Sequence, residues 1–349
     1  MAFDVKIGTT NYDFFNKITI RSKFGHIASG FNLTALYENE NPVHRRIFRP
    51  LSYNPIQINS ERGERLITGT ILNNKFLTDK TQRKASASGY STCGIVQDCS
   101  IPLSAYPLQF NGLTIRQIAE RLLTPFGLTI SIVNDGGIAD QVIDEVTASP
   151  SDSVSQFLTN IVAQRNLVLT NNEFGQLQIT RPNLNQAPIA TYREETPATS
   201  IELTVNGQAL HSSITAMKQI DIEGDNVAES TVENPTIPIF RPLIKLQNVG
   251  NDNQTEDAAR NIRANELRAI RLKITSDRIT WLNGNRANAV ETIRPNNIIS
   301  VISPENYIYN RTSFFVEQVE LTIDDKKEIA VLNCVLPEVY SNQTPKFSF

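Results

Sequence analysis

A helix, a strand, a second helix and a hairpin follow one another within residues 109–181, and this order constrains the fold more than any other stretch. Thr114 with Gln117 three residues on fits a capping box, in which each side chain satisfies an orphan backbone N–H of the first turn. Ile115, Ile118, Ala119, Leu122 and Leu123 recur at helical spacing and predict one apolar stripe. Pro125 and Gly127 stop that helix, and residues 128–133 read as a strand with Leu128, Ile130 and Ile132 on one face. Ser149 precedes Pro150, whose missing N–H costs nothing at a first helical position, so a second helix is expected to start there. Its stripe is Val154, Phe157, Leu158 and Ile161. Residues 167–170 and 176–180 flank a turn at 171–175 and predict a hairpin. The unit is about half an ordinary domain and must be set into something larger.

Strand patterning dominates on both sides of it. Over residues 1–107, Phe3, Val5 and Ile7 alternate, as do Ile18 and Ile20, then Phe31, Leu33 and Ala35. Gly69, inside the apolar run 65–72, predicts a bulge or a close backbone approach. Short strands at this spacing suggest an antiparallel sandwich or small barrel. Residues 44–49, with Arg45 and Arg46, are the most basic stretch and read as a solvated loop. Beyond a linker at 182–186, Ile201, Leu203 and Val205 alternate, 214–222 predicts a further strand, 223–234 is a polar, acidic excursion, and 239–244 is an apolar run.

One long helix follows, capped by Asn253 or Thr255, with Glu256 and Asp257 where the helix dipole favours acids. Ala259, Ile262, Glu266, Leu267, Ile270 and Ile274 trace its mostly apolar face. Arg260, Arg263, Arg268 and Arg271 are expected on the other side. Alternation resumes at Leu272 and runs through Ile274, Ile279 and Trp281, and 298–302 predicts a buried strand. Val319, Leu321 and Ile323 on one arm, with Ala330, Leu332, Cys334 and Leu336 on the other, make the clearest hairpin of the chain. Residues 337–349 look like a tail. The fold class is therefore α+β and mostly β. It divides into a first β domain at 1–107, an α/β insertion at 108–182, a second β domain from 183–224 and 290–349, and a helix-containing insertion at 225–289.

Composition excludes several functions. The chain has 349 residues, enough for two or more domains, and 33 Lys+Arg against 36 Asp+Glu give a net charge of -3. Nothing there argues for a dedicated nucleic-acid or anionic-membrane surface. No apolar run approaches the roughly 18 residues of a membrane span, and the first residues lack a signal-peptide core, which predicts a chain made, and at first soluble, in a cytoplasm. Cys93, Cys99 and Cys334 form no CxxC, so neither a disulfide framework nor a zinc site is expected; Cys93 and Cys99 could pair or act as a nucleophile, but read first as small buried strand residues. His26, His44 and His211 are widely spaced and signal neither a metal site nor a catalytic triad. No Gly-rich phosphate loop follows a strand. The carboxylate pairs Glu194-Glu195 and Asp324-Asp325 fall in polar turns. Four arginines on the long helix could grip phosphate, but Glu256, Asp257 and Glu266 dilute that field. No catalytic residue, metal ligand or cofactor site is expected, and the cofactor expectation is none.

The order of motifs resembles a known family. Residues 113–119, Pro125 with Phe126 and Gly127, the helix led by Pro150 and the hairpin at Gly175 resemble the baseplate hub protein of Mu-like contractile-tailed phages, related to the late control protein D family. Ile67, Thr68 and Gly69, Asp98 with Cys99, Phe240 with Arg241 and Pro242, the helix from Thr255 to Arg271 and the last hairpin follow in the order that family shows. The resemblance covers residues 60–340, and the chain departs from it in a lengthened stretch at residues 39–54.

The resemblance implies two similar antiparallel, tail-tube-like β-barrel domains in each subunit. Three subunits would form a homotrimer, a ring matching a hexameric tail tube on one face and a central spike on the other. Implied partners are itself, the central spike protein, the tail tube or its initiator, wedge and other baseplate proteins, the tape-measure protein, and DNA in transient passage without sequence-specific binding. The implied location is the virion, after assembly in the bacterial host cytoplasm. The module of residues 108–182 would sit on the outside of the ring, with Arg116, Glu120 and Gln164 as candidate docking surface. A related contractile injection machine is the same structural class. The alternative from a different class is a tail-associated cell-wall hydrolase or carbohydrate-binding β protein.

Overall fold

The fold is a computed structural model that describes residues 3–60, 63–80, 82–194, 198–218, 229–247, 252–277, 292–324 and 328–344. Thirteen strands join one large curled sheet, antiparallel apart from one pair, and the mostly-β class read from the sequence holds. Its centre is the 17-residue strand Ile308–Asp324. One edge of this strand pairs with Glu328–Val335, which continues to Ile270–Ser276 and then Ala198–Val205. The other edge carries two strands end to end. Ile298–Ser303 lies along its first half, with Ile298 opposite Phe315, and Phe15–Lys23 along its second half, from Gln318 opposite Lys23 to Asp324 opposite Lys17. From Phe15–Lys23 the sheet continues through Gly30–Leu36, Arg83–Ser91, Arg65–Thr78, Pro55–Ser60 and Phe3–Ile7. The first and second β blocks are thus hydrogen-bonded into a single sheet.

The alternation explains the strands. Val319, Leu321 and Ile323 face inward with Ala330, Leu332 and Cys334, and they share one apolar core with Ile18, Ile20, Phe31 and Leu33 of the first block. Gly69 marks a close approach: a Cβ there would stand 2.3 Å from the Tyr90 carbonyl oxygen. The irregularity itself falls two residues on, between Ile71 and Asn73.

The module of residues 109–181 has its own core, in which Ile115, Ile118, Leu122, Val154, Phe157 and Leu158 meet Leu177 and Ile179. Helix Ile115–Leu123 carries the capping box at Thr114 and Gln117. Strands Val168–Asn171, Leu177–Thr180 and Ile130–Val133 form a three-stranded sheet against the helices. The second helix starts later than Pro150 suggests. It spans Val154–Ala163, because the Ser153 hydroxyl accepts from the Gln156 N–H as its cap, while Ser149, Pro150 and Asp152 close a turn ahead of it.

Four further expectations are corrected. Residues 44–49 are no loop: Asn41 caps helix Pro42–Ile47, which buries His44 and Ile47 and leaves Arg45 and Arg46 exposed. The long helix begins at Asp252, so Thr255 lies inside it, buried, with its hydroxyl bonded to that of Ser230. Arg263 is buried rather than displayed, donating to the Glu233 and Asn342 carbonyls. The chain end is anchored through helix Glu338–Ser341, with Val339 buried and Tyr340 packed on Phe315.

Helix Asp252–Glu266 covers one face of a separate sheet in the order Glu229–Glu233, Ser213–Lys218, Pro242–Gln247. Ser213–Lys218 therefore pairs with the helix-containing insertion, while Ile270–Ser276 belongs to the main sheet. Glu195, Ile279, Trp281 and Asp325 lie outside the described residues. No described helix is long and apolar enough to cross a membrane.

Candidate functional site

Arg294 is where the three large parts of the chain meet. Its guanidinium lies 2.8 Å from Glu64 of the first β block and 2.5 Å from Glu173 of the module, and it also donates to the Arg65 carbonyl at 3.0 Å. Glu64 is held from a second side by the Thr292 N–H and hydroxyl. A cavity of about 150 Å³ opens beside these residues, lined in part by Ser22, Ser29 and Asn171. The Ser29 hydroxyl donates to the Asn171 Oδ1 and lies 2.9 Å from the Ser22 hydroxyl, from which it accepts, so polar groups satisfy one another across the junction. With its charges paired, the junction is built as a clamp.

Two hinge-like contacts finish the docking. The Cys93 N–H donates to the Gly175 carbonyl, and Gly175 sits at a left-handed φ of +76° where a Cβ would stand 2.8 Å from the Thr68 carbonyl. The Cys93 thiol donates to the Ile27 carbonyl at 3.1 Å, and burial pushes its pKa up to about 11. Burial raises the Cys334 thiol as well, whereas Cys99 is partly exposed. Cys93 and Cys334 are thereby poor nucleophiles, since the thiolate is the reactive form.

The sequence-predicted docking residues fall on the module. Arg116 grips Asp140 with two bonds of 2.6 and 3.1 Å, and this guanidinium holds the Asp140 carboxyl below its ordinary value. Glu120 follows one turn along the same helix and is exposed. Gln164 caps the other helix, and its neighbour Arg165 reaches Gln141 and the Val142 carbonyl. Arg116 and Glu120 are together on one helix; Gln164 ends the other, and the segment 138–143 links the two through Asp140 and the Arg165 contacts.

His44, His211, Arg260 and Arg268 are engaged structurally. His44 packs among Tyr12, Phe14 and Tyr37 and accepts from the Glu38 N–H, and His211 pairs with Glu266 at 2.7 Å. On the Arg-rich helix, Arg260 pairs with Glu256, while just beyond it Arg268 pairs with Glu317 beneath the Tyr340 ring. Among the described residues no three His, Cys, Asp or Glu side chains are gathered as a metal site. Sequence reasoning missed Glu64, Glu173 and Arg294, which lie in separate turns and carry no periodic signal.

Residues 93–181 match the family model for the second domain of gp44-like baseplate hub proteins. That stretch is similar to a baseplate-hub domain. A search of curated proteins finds no match. Around the hub domain the whole fold is similar to the 43 kDa tail protein of prophage MuSo2 from Shewanella oneidensis, at 20% identity and TM-score 0.82, covering 97% of this chain and 99% of that one. A tail protein from Neisseria meningitidis MC58 is similar at 19% identity and TM-score 0.77, with 99% of both chains covered. The E. coli c3393 protein, a type VI secretion component described as structurally similar to T4 tail proteins gp27 and gp5, aligns at 8% identity and TM-score 0.53 over 99% of this chain and 78% of its own. At these identities the likeness establishes fold. The resemblance to baseplate hub proteins is borne out by the hub domain and by the fold around it.

Proposed function

We propose that the chain is the structural, non-catalytic hub of a tail baseplate, residing in the virion after assembly in the host cytoplasm. Three copies would form a ring, each contributing two β blocks to a pseudo-six-fold surface, with the tail tube or its initiator on one face and the spike on the other. The lumen would hold the tape-measure protein and later pass DNA. The observation that carries this reading is the hub domain of residues 93–181 clamped onto a sheet that runs unbroken through both β blocks. Closed homo-oligomers are the common way for such subunits to cover strand edges. Light scattering on the purified chain, alone and with its spike, should report a trimer or a trimer–spike complex. A strict monomer at high concentration that binds no spike would overturn the reading, and clearing of peptidoglycan in a zymogram would overturn the non-catalytic part.

The module offers an outward surface to wedge and other baseplate proteins, centred on Arg116, Glu120 and Gln164. The paired Arg116 and Asp140 form a preformed polar patch where helix Ile115–Leu123 meets the turn Ile138–Asp140. Arg116→Glu should leave the trimer intact and weaken assembly with the surrounding baseplate, read by co-sedimentation; unchanged assembly would remove the patch from the interface.

A further inference from the structure

Strand Arg65–Thr78 has neighbours on both sides along its first half only. Pro55–Ser60 lies against residues 65–70, from Asn59 opposite Arg65 to Pro55 opposite Thr70, and the Asn54 carbonyl takes the Ile71 N–H. Residues 73–78 then pair with Arg83–Ser91 alone, from Asn73 opposite Ser88 to Thr78 opposite Arg83. Among the described residues their other edge has no backbone partner. Alternate N–H and C=O groups of such a strand point away from the sheet and are a template for one more strand.

The two faces at this edge differ in chemistry. On the core face, the row Phe15, Ala35 and Ala85 ends on Phe76. The first three are buried, whereas Phe76 is 42% exposed, with the Tyr37 ring edge-on to it at 5.2 Å. The apolar core therefore runs out to the edge and stops uncovered. On the opposite face, Lys75 heads the row of Ser86 and Thr34, and Leu77 heads the row of Lys84 and Leu36. Lys80 and Arg83 are exposed at the hairpin turn, where the Asp79 carboxylate accepts from the Gln82 N–H. The hairpin thus carries Lys75, Lys80, Arg83 and Lys84 against one carboxylate, and none of the four cations is in an ion pair among the described residues. Glu38 and Glu40 follow Leu36 on the third strand in, and Glu38 lies beside Tyr12.

We propose that the open edge at residues 73–78 takes an added strand from another protein, an extended segment with acidic side chains on one face and apolar ones on the other. Backbone hydrogen bonds along the edge supply affinity in this mode of recognition, and alternate side chains supply specificity. The acidic face would meet Lys75 and Lys84, and the apolar face would cover Phe76 and close the core row. A second copy of the same edge would set Lys75 and Lys84 against their own kind, which is unfavourable across a strand pair. Edge lysines deter self-pairing by charge, so the same lysines admit an acidic strand. Nucleic acid would answer the cations but neither the open peptide groups nor Phe76. The proposal does not rest on the ring.

Two labelled peptides, one alternating Val and Glu and the other alternating Val and Lys, test this on the full chain by fluorescence anisotropy and hydrogen exchange. The Glu peptide should bind, weaken as salt rises, and protect the amides of residues 73–78. The Lys peptide should bind about tenfold more weakly or worse. Lys75→Glu with Lys84→Glu, checked for wild-type melting, should reverse that order. No binding of the Glu peptide, equal binding of both peptides by the wild type, or binding that leaves those amides unprotected would each overturn the proposal. Protection of the same amides without peptide, rising with chain concentration, would assign the edge to a second copy instead. Stronger protection by duplex DNA than by the Glu peptide would assign it to nucleic acid, and either result also overturns the proposal.

Discussion

At the scale of single residues, the chain is held together by groups far apart in sequence. Arg294 pairs with Glu64 and Glu173 from a half-buried position, and removing it leaves both carboxylates without their cation. Arg294→Ala should cost about 2–3 kcal/mol in a denaturant titration. Arg294→Lys should recover only part of it, because an ammonium lacks the fork that reaches two carboxylates and a carbonyl together. No local pattern announces this clamp. Arg294 stands in a polar turn before Pro295, and a single sequence contains nothing that links it to Glu64. The thiols were legible in part: Cys93 is packed as expected but in a 3-10 turn rather than a strand, and Cys99 is partly exposed after a short helix. Thiol titration of the native chain should find Cys99 alone, and all three cysteines in denaturant. The Cys93 thiol ionises near pH 11 in the folded chain against an ordinary 9.0. Its raised pKa contributes stability that is full below pH 9 and lost as pH rises through 11. Cys93→Ala should therefore flatten the alkaline limb of a stability–pH profile while lowering stability at neutral pH.

Among the secondary-structure elements, what could be read from the sequence was what neighbours in sequence decide. The capping box at Thr114, the stripe of Ile115 to Leu123 and the hairpin arms around Val319 and Leu332 all depend on contacts within a turn or across a short loop. Helix starts failed where two local signals competed. Pro150 is a sound first-turn residue, yet Ser153 supplies the hydroxyl that the Gln156 N–H needs, and the hydrogen bond decided the boundary. Ser153→Ala should destabilise the module by about 1 kcal/mol, and Pro150→Ala far less, when each is followed by thermal melting. The stretch 44–49 was misread because its charges pointed to solvent while His44 and Ile47 turned inward. Docking of the module hairpin turns on Gly175. Gly175→Ala adds a Cβ against backbone in a left-handed conformation, and should cost about 2 kcal/mol. Hydrogen exchange should then show the Cys93 amide opening without loss of the main sheet.

Over the whole molecule, the two largest apolar cores among the described residues divide the labour. One spans both β blocks and the other belongs chiefly to the module. The blocks should melt as one cooperative unit, and a fragment of residues 93–181 should melt on its own; separate transitions for the two blocks would contradict the continuous sheet. The sequence announced two strand-rich blocks but not that they share a strand, because pairing Phe15–Lys23 with Ile308–Asp324 joins the two ends of the chain. That shared strand has a mechanical consequence. Seven residue pairs, from Lys17 opposite Asp324 to Lys23 opposite Gln318, lie along the seam. A load pulling the blocks along that strand meets these hydrogen bonds in shear, where they must yield together. Among the described residues this seam joins the blocks directly, so a thrust on one block is expected to reach the other through these seven pairs.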